Sequence, residues 1–416
     1  MPAGKLAPLH QHPIIGDINP WLVIFIYIKS ESKNVMVHNI YFSVCGEGYG
    51  HSSRDMAIAT KLKSAGANVL MGSYGYALDR LKKSFDCIEI EKEFEMTAKD
   101  GAFDLKATIS QSTNSVFHYS RIISQEKKIM EDFSATCIVA DGRGASVFAA
   151  FKLGLPCIII SNQTSIESFF KESKFLLNLI GKPVDLTLKT TMALAEEVLI
   201  PDFAPPHTVC LNTLSKSPHV MKKQRFIGPV VSAKYETSQP EPAGIKSPFV
   251  LTILSGHSFS LPIFNGILKI ADRFPEINFL IFAKFISDNI PKNTTIVGFC
   301  EDPSPYIAAA ELVIAQAGHS TAMEILTLGK PALIIPIKGH IEQEYNAKRM
   351  KQLGMCETLD YESFNGEILY EKIKLLLNEN GFKEKAKLFS ENAREMKGSQ
   401  RAADIILELS NRIQSY

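Results

Sequence analysis

Apolar runs alternate along this chain with amphipathic stretches, and glycine-bearing turns separate the two kinds of segment. The first half opens with the apolar run His38-Asn-Ile-Tyr-Phe-Ser-Val-Cys45, a turn at residues 46–51 and a helical pattern from Ser53 to Ala65. The second half repeats this order with Phe249-Val-Leu-Thr-Ile-Leu254, a turn at residues 255–258 and a further helical pattern. Strand, turn and helix in repeated order predict parallel α/β units in both halves.

Further apolar runs continue the pattern in each half of the chain. They are Cys137-Ile-Val-Ala140, Cys157-Ile-Ile-Ile160, Asn278-Phe-Leu-Ile-Phe282, Leu312-Val-Ile-Ala315 and Ala332-Leu-Ile-Ile335. Strands that are apolar almost throughout are buried on both faces, as in doubly wound parallel sheets. The 416 residues are enough for two such domains.

Local composition sets the predicted boundaries of these domains. Residues 231–248 are rich in proline and small polar residues, which is typical of a linker between domains. We therefore expect one domain over 36–230, a second over 249–395, and a C-terminal helix over 396–416 that returns to the first domain. Residues 1–35 form an N-terminal extension.

The extension contains an apolar segment, Trp21-Leu-Val-Ile-Phe-Ile-Tyr-Ile28. It is too short to cross a bilayer and lacks a small-residue cleavage site after it. Two interpretations stay open: an unstructured extension, or a short interfacial anchor at a membrane surface.

Charge and cysteine content exclude several classes of protein. The 45 basic and 44 acidic residues give a formal net charge of +1, which argues against a surface that follows nucleic-acid phosphates. The seven cysteines form no C-x-x-C pair, which argues against a zinc ribbon or a redox dithiol. Unpaired, scattered cysteines are typical of reduced thiols in a cytoplasmic protein.

The first turn, Gly46-Glu-Gly-Tyr-Gly-His51, places three glycines between a strand and a helix. Glycine lets the backbone approach a phosphate or a bulky ligand closely. The spacing differs from the dinucleotide fingerprint, and the next strand, Val69-Leu-Met-Gly72, runs into Ser73 instead of an acidic residue. A nicotinamide cofactor is therefore disfavoured.

Two residues near this turn are candidates for acid–base chemistry. His51 would lie in the first turn of the following helix, where the helix dipole disfavours imidazolium and keeps the ring able to accept a proton. Asp141 closes a buried strand, at the sheet edge where open α/β sheets bind ligands, and an acid there would orient His51. The alternatives are a structural histidine at the helix start, and an N-cap role for Asp141 before residues 145–153.

The most informative motif lies in the second half, at Gln316-Ala-Gly-His-Ser-Thr-Ala-Met-Glu324. Here a strand leads into a helix whose first amides, with Ser320 and Thr321, form a cradle for a diphosphate. Glu324, further along the helix, can accept two hydrogen bonds from a ribose diol. Glu342 and Gln343 follow the next strand and are suited to sugar hydroxyls.

Residues 316–354 resemble the donor-binding signature of GT-B glycosyltransferases. The resemblance is strongest to the lipid-linked peptidoglycan N-acetylglucosaminyltransferases and their uncharacterised archaeal and bacterial relatives. Gly46–Arg54 is similar to the N-terminal glycine loop of that group, and Arg225-Phe-Ile-Gly-Pro-Val230 to its end-of-domain turn. The resemblance implies two Rossmann-like domains facing across a cleft, with the acceptor bound by the first domain and the nucleotide sugar by the second.

The resemblance also implies a role for each matching residue. His51 would be the catalytic base and Asp141 its supporting acid. The acceptor would meet Gly48, Tyr49, Gly50, Asn162 and Gln163. The donor would meet Ser255, His257, Phe299, Cys300, Gly318, His319, Ser320, Thr321, Glu324, Glu342 and Gln343. Two positions depart from the family pattern. Plant-type members have histidine where this chain has Gln316, and the loop 255–258 has a single glycine, for which His257 would compensate.

The chain contains no Asp-x-Asp pair, the ligand set of the metal-clamped GT-A mechanism. We therefore expect no metal and no cofactor, with helix N-termini stabilising the leaving group. The predicted reaction is inverting transfer of N-acetylglucosamine or another hexose from a UDP-sugar to an acceptor hydroxyl. The acceptor is a glycan, a glycolipid or a small molecule, and a lipid-linked acceptor would place the enzyme at the inner face of the membrane. The alternatives are a UDP-sugar 2-epimerase and a non-catalytic sugar-nucleotide-binding subunit.

Overall fold

The computed structural model describes the chain in several ranges, which contain both predicted domains. They are residues 37–47, 49–93, 98–99, 102–103, 115–167, 175–232, 245–255, 258–298 and 300–413. The predicted extension 1–35 and the linker residues 233–244 lie outside them.

The first domain is built on a parallel sheet of seven strands. The strands of this sheet are β1 Asn39–Val44, β2 Asn68–Ser73, β3 Asp86–Glu89, β6 Cys137–Asp141, β7 Cys157–Ile160, β8 Glu197–Ile200 and β9 Gln224–Phe226. A separate antiparallel pair consists of β4 Ala98–Lys99 and β5 Ala102–Phe103. The strand order is β3-β2-β1-β6-β7-β8-β9, so β1 lies beside β6 in the middle of the sheet. The helices are α1 Gly50–Ser64, α2 Gly75–Leu81, α3 Ser115–Asp132, α4 Gly144–Leu153, α5 Phe175–Leu194 and α6 Pro218–Met221.

The second domain repeats this plan with six parallel strands in the order β12-β11-β10-β13-β14-β15. The strands are β10 Phe249–Ile253, β11 Asn278–Phe282, β12 Thr294–Val297, β13 Leu312–Ala315, β14 Ala332–Ile334 and β15 Cys356–Thr358. The helices are α7 Leu261–Ile270, α8 Ser304–Ala309, α9 His319–Leu328, α10 Ile341–Gln352, α11 Gly366–Asn378, α12 Asn380–Met396 and α13 Gly398–Ile413.

Each sheet packs a hydrophobic core on both of its faces, because its central strands are apolar on both sides. In the first sheet, Phe42 and Val139 belong to one core, whereas Tyr41 and Ile138 belong to the other. This confirms the predicted fold: two doubly wound, parallel α/β domains. Among the described residues, no helix combines the length and apolar character needed to cross a bilayer.

The last helix, α13, packs against the first domain. Its apolar residues Ala402, Ile406 and Leu409 belong to the same core as Ile58 and Leu62 of α1. The chain leaves the second domain at Lys397, which adopts a left-handed conformation with φ of 47° between α12 and α13. The two domains are therefore connected by two stretches of chain, one near residues 231–248 and one at Lys397.

Shortening a buried side chain of this helix should destabilise the first domain. Ile406 is fully buried, so Ile406→Ala should lower the free energy of unfolding by about 2–5 kcal/mol through lost burial and the cavity left behind. Urea denaturation measures the change. Leu388→Ala, on the exposed face of α12, is the matched control and should change stability by about 0.5 kcal/mol or less. Equal losses in the two variants would mean that α13 does not contribute to the core.

Candidate functional site

His51 and Asp141 meet at the carboxyl edge of the first sheet. Helix α1 begins at Gly50, immediately after the glycine turn that follows β1, and Asp141 ends the neighbouring strand β6. The imidazole Nδ1 of His51 lies 2.7 Å from Oδ1 of Asp141. Asp141 is fully buried, whereas 30% of the His51 side chain is exposed. An imidazole that donates from Nδ1 keeps Nε2 as a hydrogen-bond acceptor.

Gly142 makes this close approach possible. Its φ of +67° lies in the left-handed region that glycine adopts without strain. A Cβ at this position would lie 2.8 Å from Cβ of Cys45 and 3.3 Å from Cε1 of His51. A larger residue would therefore push the end of β6 away from the histidine.

Arg54, one turn after His51 in α1, is the second partner of Asp141. Its Nε donates to Oδ2 of Asp141 at 2.5 Å, and its Nη2 forms a short hydrogen bond to Oδ1. Burial by itself would raise the pKa of Asp141. The positive charge of Arg54, with the contact to His51, outweighs burial and holds the pKa of Asp141 well below its usual range. Asp141 is therefore ionised throughout the physiological range of pH.

Asp55 is buried beside Arg54 in the same cluster. Burial raises the pKa of Asp55 well above its ordinary value, and the negative charge of Asp141 raises it further. The opposing field of Arg54 is smaller. The carboxylate that accepts hydrogen bonds from Arg54 is that of Asp141.

The polar cluster continues from Arg54 across to the second domain. Nη1 of Arg54 donates to Oδ1 of Asn162 at 3.2 Å, and Nδ2 of Asn162 donates to Oε1 of Glu342 at 2.8 Å. Glu342 lies in the first turn of α10. A continuous chain of hydrogen bonds thus runs from the histidine in one domain to an expected sugar-binding residue in the other.

A different residue fills the N-cap role that was the alternative for Asp141. The carboxylate of Glu93 accepts hydrogen bonds from the backbone amides of Gly144 and Ala145, at 3.0 and 2.9 Å. These amides lie at the start of α4, so their hydrogen bonds are provided by a residue from another segment of the chain. Asp141 therefore does not cap α4, and its carboxylate is left to His51 and Arg54.

The donor motif of the second domain forms the strand–turn–helix unit that the sequence predicts. β13 ends at Ala315, Gly318 is the N-cap residue and α9 begins at His319. A Cβ at Gly318 would meet nothing within 4 Å, so the turn borders open space. The hydroxyl of Ser320 faces the glycine turn of the first domain, since a Cβ at Gly50 would lie 2.7 Å from its Oγ.

Glu324 lies in α9 with 9% of its surface exposed. Burial raises its pKa to about 7, with a further increase from the negative charge of Asp302 and a smaller decrease from the positive charge of Arg80. Near neutral pH this carboxyl group therefore exists in both protonation states. A ligand that donates hydrogen bonds to it would favour the ionised form.

His319 turns its side chain away from the open turn. Its Nε2 lies 3.1 Å from Oδ2 of Asp202, which follows β8 in the first domain, and both side chains are buried. His319 can therefore offer its backbone amide, but not its imidazole, to a ligand at the helix start.

Asp202, Cys210 and His319 place one potential metal-ligand atom each within 4.8 Å of one another. The Asp202 carboxylate is already engaged, because it accepts from the amides of Phe203, Val209 and Cys210 as well as facing His319. The hydrogen bond between Asp202 of the first domain and His319 of the second makes this cluster a contact between the domains.

Hydrogen bonds orient two further candidate residues, Ser255 and Gln343. Ser255 contacts Gln316 and Ser260, which fixes the loop after β10. The side-chain oxygen of Gln343 accepts from the amide of Ile337 at 3.0 Å, which fixes the orientation of this side chain. The described parts of the chain also include Cys300, Thr321, Tyr49 and Gln163, and they leave out Gly48, His257 and Phe299.

Sequence reasoning missed Arg54, Glu93 and Arg80. Arg54 carried a signal, because it lies on the same helix face as His51, three residues later. Glu93 and Arg80 carried none, since their partners come from distant segments of the chain.

Two family models match the chain. The model described as "Glycosyltransferase family 28 C-terminal domain" matches residues 280–405, and "Glycosyl transferase family 1" matches residues 38–234. The chain is 32% identical over 375 residues to an uncharacterized glycosyltransferase of Methanosarcina mazei, covering 88% of this chain and 97% of that relative.

A more distant relative and a solved structure extend these findings. The UDP-N-acetylglucosamine–N-acetylmuramyl-(pentapeptide) pyrophosphoryl-undecaprenol N-acetylglucosamine transferase of Thermodesulfovibrio yellowstonii is 32% identical over 126 residues, which is 30% of this chain and 34% of that protein. The crystal structure of the glycotransferase of kitacinnamycin superposes with a TM-score of 0.68 at 16% identity, covering 89% of this chain and 99% of that one.

Removing Arg54 should destabilise the first domain strongly. Arg54→Met leaves the buried Asp141 charge without its guanidinium partner, at a cost of about 3–5 kcal/mol measured by urea denaturation. Adding Asp141→Asn should recover part of the loss, because the uncompensated charge is then gone. Arg412→Met, which breaks an exposed pair with Glu408, is the control and should cost about 0.5 kcal/mol or less. If Arg54→Met behaved like this control, the buried pair would have no structural role.

Proposed function

Because the chain belongs to the glycosyltransferases with a family 28 type of C-terminal domain, we propose that it transfers a sugar from a UDP-sugar to an acceptor hydroxyl with inversion. The observation that carries this proposal is the contact between His51 and Asp141, 2.7 Å long, on the domain that faces the donor motif. The partly exposed imidazole can reach an acceptor, and its buried carboxylate partner cannot.

In the proposed reaction, His51 is the general base. The acceptor oxygen attacks the anomeric carbon of the donor while its proton passes to Nε2 of His51. The bond from the anomeric carbon to the diphosphate oxygen breaks, and the diphosphate leaves with the electron pair. Asp141 stabilises the imidazolium that forms, and a base of this kind contributes roughly 10²–10⁴-fold to the rate. Attack opposite the leaving group inverts the anomeric configuration.

The donor is proposed to lie against the start of α9. The amides after Gly318 and the hydroxyls of Ser320 and Thr321 would receive the diphosphate, and Glu324 would accept hydrogen bonds from the ribose. The helix N-terminus would then stabilise the negative charge on the leaving group, and this supports a reaction that needs no metal ion.

The relative from Thermodesulfovibrio yellowstonii supports a uridine nucleotide, because its name specifies UDP-N-acetylglucosamine as donor. We propose N-acetylglucosamine or another hexose as the sugar that this chain transfers, with Glu342 and Gln343 beside it. The same name includes a lipid-linked compound, N-acetylmuramyl-(pentapeptide) pyrophosphoryl-undecaprenol, and this supports a lipid-linked acceptor for this chain, at the surface of a membrane.

Replacing the base should abolish transfer but leave donor binding intact. His51→Ala should lower kcat at least about 100-fold, because the acceptor proton loses its destination. UDP affinity, measured by calorimetry, should stay within about twofold, since the imidazole lies on the acceptor domain. His219→Ala, at an exposed position on α6, is the matched control and should behave like the wild type.

The same assay separates the rival functions. Wild-type protein, UDP-sugars and a panel of acceptors are followed by NMR. Release of UDP that depends on acceptor and on His51 supports the proposal. Conversion of the donor to its 2-epimer without acceptor would show an epimerase, and donor binding with no turnover would show a non-catalytic subunit.

Nucleotide affinity should depend on pH through Glu324. The pKa of about 7 means that the free carboxyl group is mostly protonated at pH 6 and mostly ionised at pH 8. If the ribose binds the ionised form, UDP affinity should rise about tenfold from pH 6 to pH 8, with proton release on binding below pH 7. Calorimetry in two buffers of different ionisation enthalpy measures both. Glu324→Gln should bind more weakly and lose this rise; a rise that persists would contradict the ribose role.

A further inference from the structure

Arg80, in the last turn of α2, bonds to both domains. Its Nη1 donates to Oγ of Ser53 at 2.8 Å and, more weakly, lies 3.4 Å from the carbonyl oxygen of Tyr49. Its Nη2 donates to the carbonyl oxygen of Glu301 at 2.9 Å, in the second domain. One planar guanidinium therefore connects three segments that are far apart in the sequence.

Two of these segments belong to the proposed active site. Ser53 lies two residues after His51 in α1, so a bond to its hydroxyl holds the first turn that carries the base. Glu301 follows Cys300 in the loop after β12, where the nucleotide base is expected. Arg80 thus joins the helix of the proposed base to the loop of the proposed nucleotide site.

The charge of Arg80 also acts on the donor site. The groups whose fields act on Glu324 are Asp302, which opposes its ionisation, and Arg80, which favours it. A nucleoside diphosphate bound near Glu324 would bring further negative charge to this region, and the positive charge of Arg80 would attract the diphosphate. Arg80 belongs to the acceptor domain by sequence, yet its field reaches the ribose-binding residue of the donor domain.

The neighbouring pair of Lys83 and Glu301 is a salt bridge at the protein surface. Lys83 forms a short salt bridge to Oε1 of Glu301, and both side chains are more than half exposed. Exposed pairs of this kind contribute little to stability and constrain geometry weakly. Arg80 differs because its planar guanidinium donates in two directions, to the hydroxyl of Ser53 and to the backbone carbonyl oxygen of Glu301, which a lysine ammonium does not reproduce.

We propose that Arg80 is a positioning residue of the donor site: its hydrogen bonds to Ser53 and to the carbonyl oxygen of Glu301 align the His51 helix with the loop at Glu301. This inference rests on the proposed function, since it presupposes a nucleotide sugar in the cleft. It adds a residue from the acceptor domain to the set that decides donor binding and turnover.

The test separates the charge of Arg80 from its geometry. UDP affinity is measured by calorimetry from pH 6 to pH 8.5, together with kcat and KM for the donor, in Arg80→Met, Arg80→Lys and Ser53→Ala. Thermal melting of each variant verifies folding. Lys83→Met is the matched control, because it removes a cation that also contacts Glu301 but bonds to no part of α1.

We expect three distinct results. In Arg80→Met, the midpoint of the rise in UDP affinity moves to higher pH, because the cation that favours ionised Glu324 is gone, and kcat falls about tenfold through lost alignment. Arg80→Lys restores the midpoint but not kcat. Ser53→Ala keeps the midpoint, because the charge remains, and lowers kcat. Lys83→Met changes neither quantity.

The outcome that overturns the inference differs from the one that overturns the proposed function. If wild-type protein does not bind UDP, the proposed function fails. If wild-type protein binds UDP with the expected pH dependence, and Arg80→Met keeps both the midpoint and kcat, the role of Arg80 is wrong while the donor site stands. Should Arg80→Met fail to fold, Arg80→Lys and Ser53→Ala decide the question by kcat.

Discussion

The cleft is organised around one buried charge, the carboxylate of Asp141. An ion that is removed from water costs several kcal/mol unless opposite charge and hydrogen bonds compensate it. At the end of β6 this compensation comes from Arg54 and from His51. The carboxylate therefore holds both side chains in place: the imidazole receives a fixed orientation, and the guanidinium keeps one nitrogen for Asn162.

The two domains meet through polar contacts whose burial differs. Asp202 and His319 are almost completely shielded from water, and separating them would leave a buried carboxylate without its imidazole partner. The contacts of Arg80 and Lys83 with Glu301 lie closer to solvent, where water can replace a lost hydrogen bond at little cost. Breaking the contacts at Glu301 therefore costs less free energy than separating His319 from Asp202.

Much of the fold and part of the site follow from local sequence. Continuous apolar runs can only be buried on both faces, so they determine parallel sheets with helices on each side. The strand ends of such sheets share one edge, and for this reason the glycine turn before His51 and the end of the strand at Asp141 could be expected to meet. The strand and glycine before α9 likewise determined a helix start open to a ligand.

Only the tertiary structure decided which side chains complete the site. Arg80 and Glu301 are 221 residues apart, and Asp202 and His319 are 117 residues apart, so no local pattern relates them. The direction of a side chain depends on which buried partner lies within reach, and that partner comes from the packing of one domain on the other. The His319 ring therefore lies against Asp202 of the other domain, and the guanidinium of Arg54 binds Asp141, 87 residues away in the sequence.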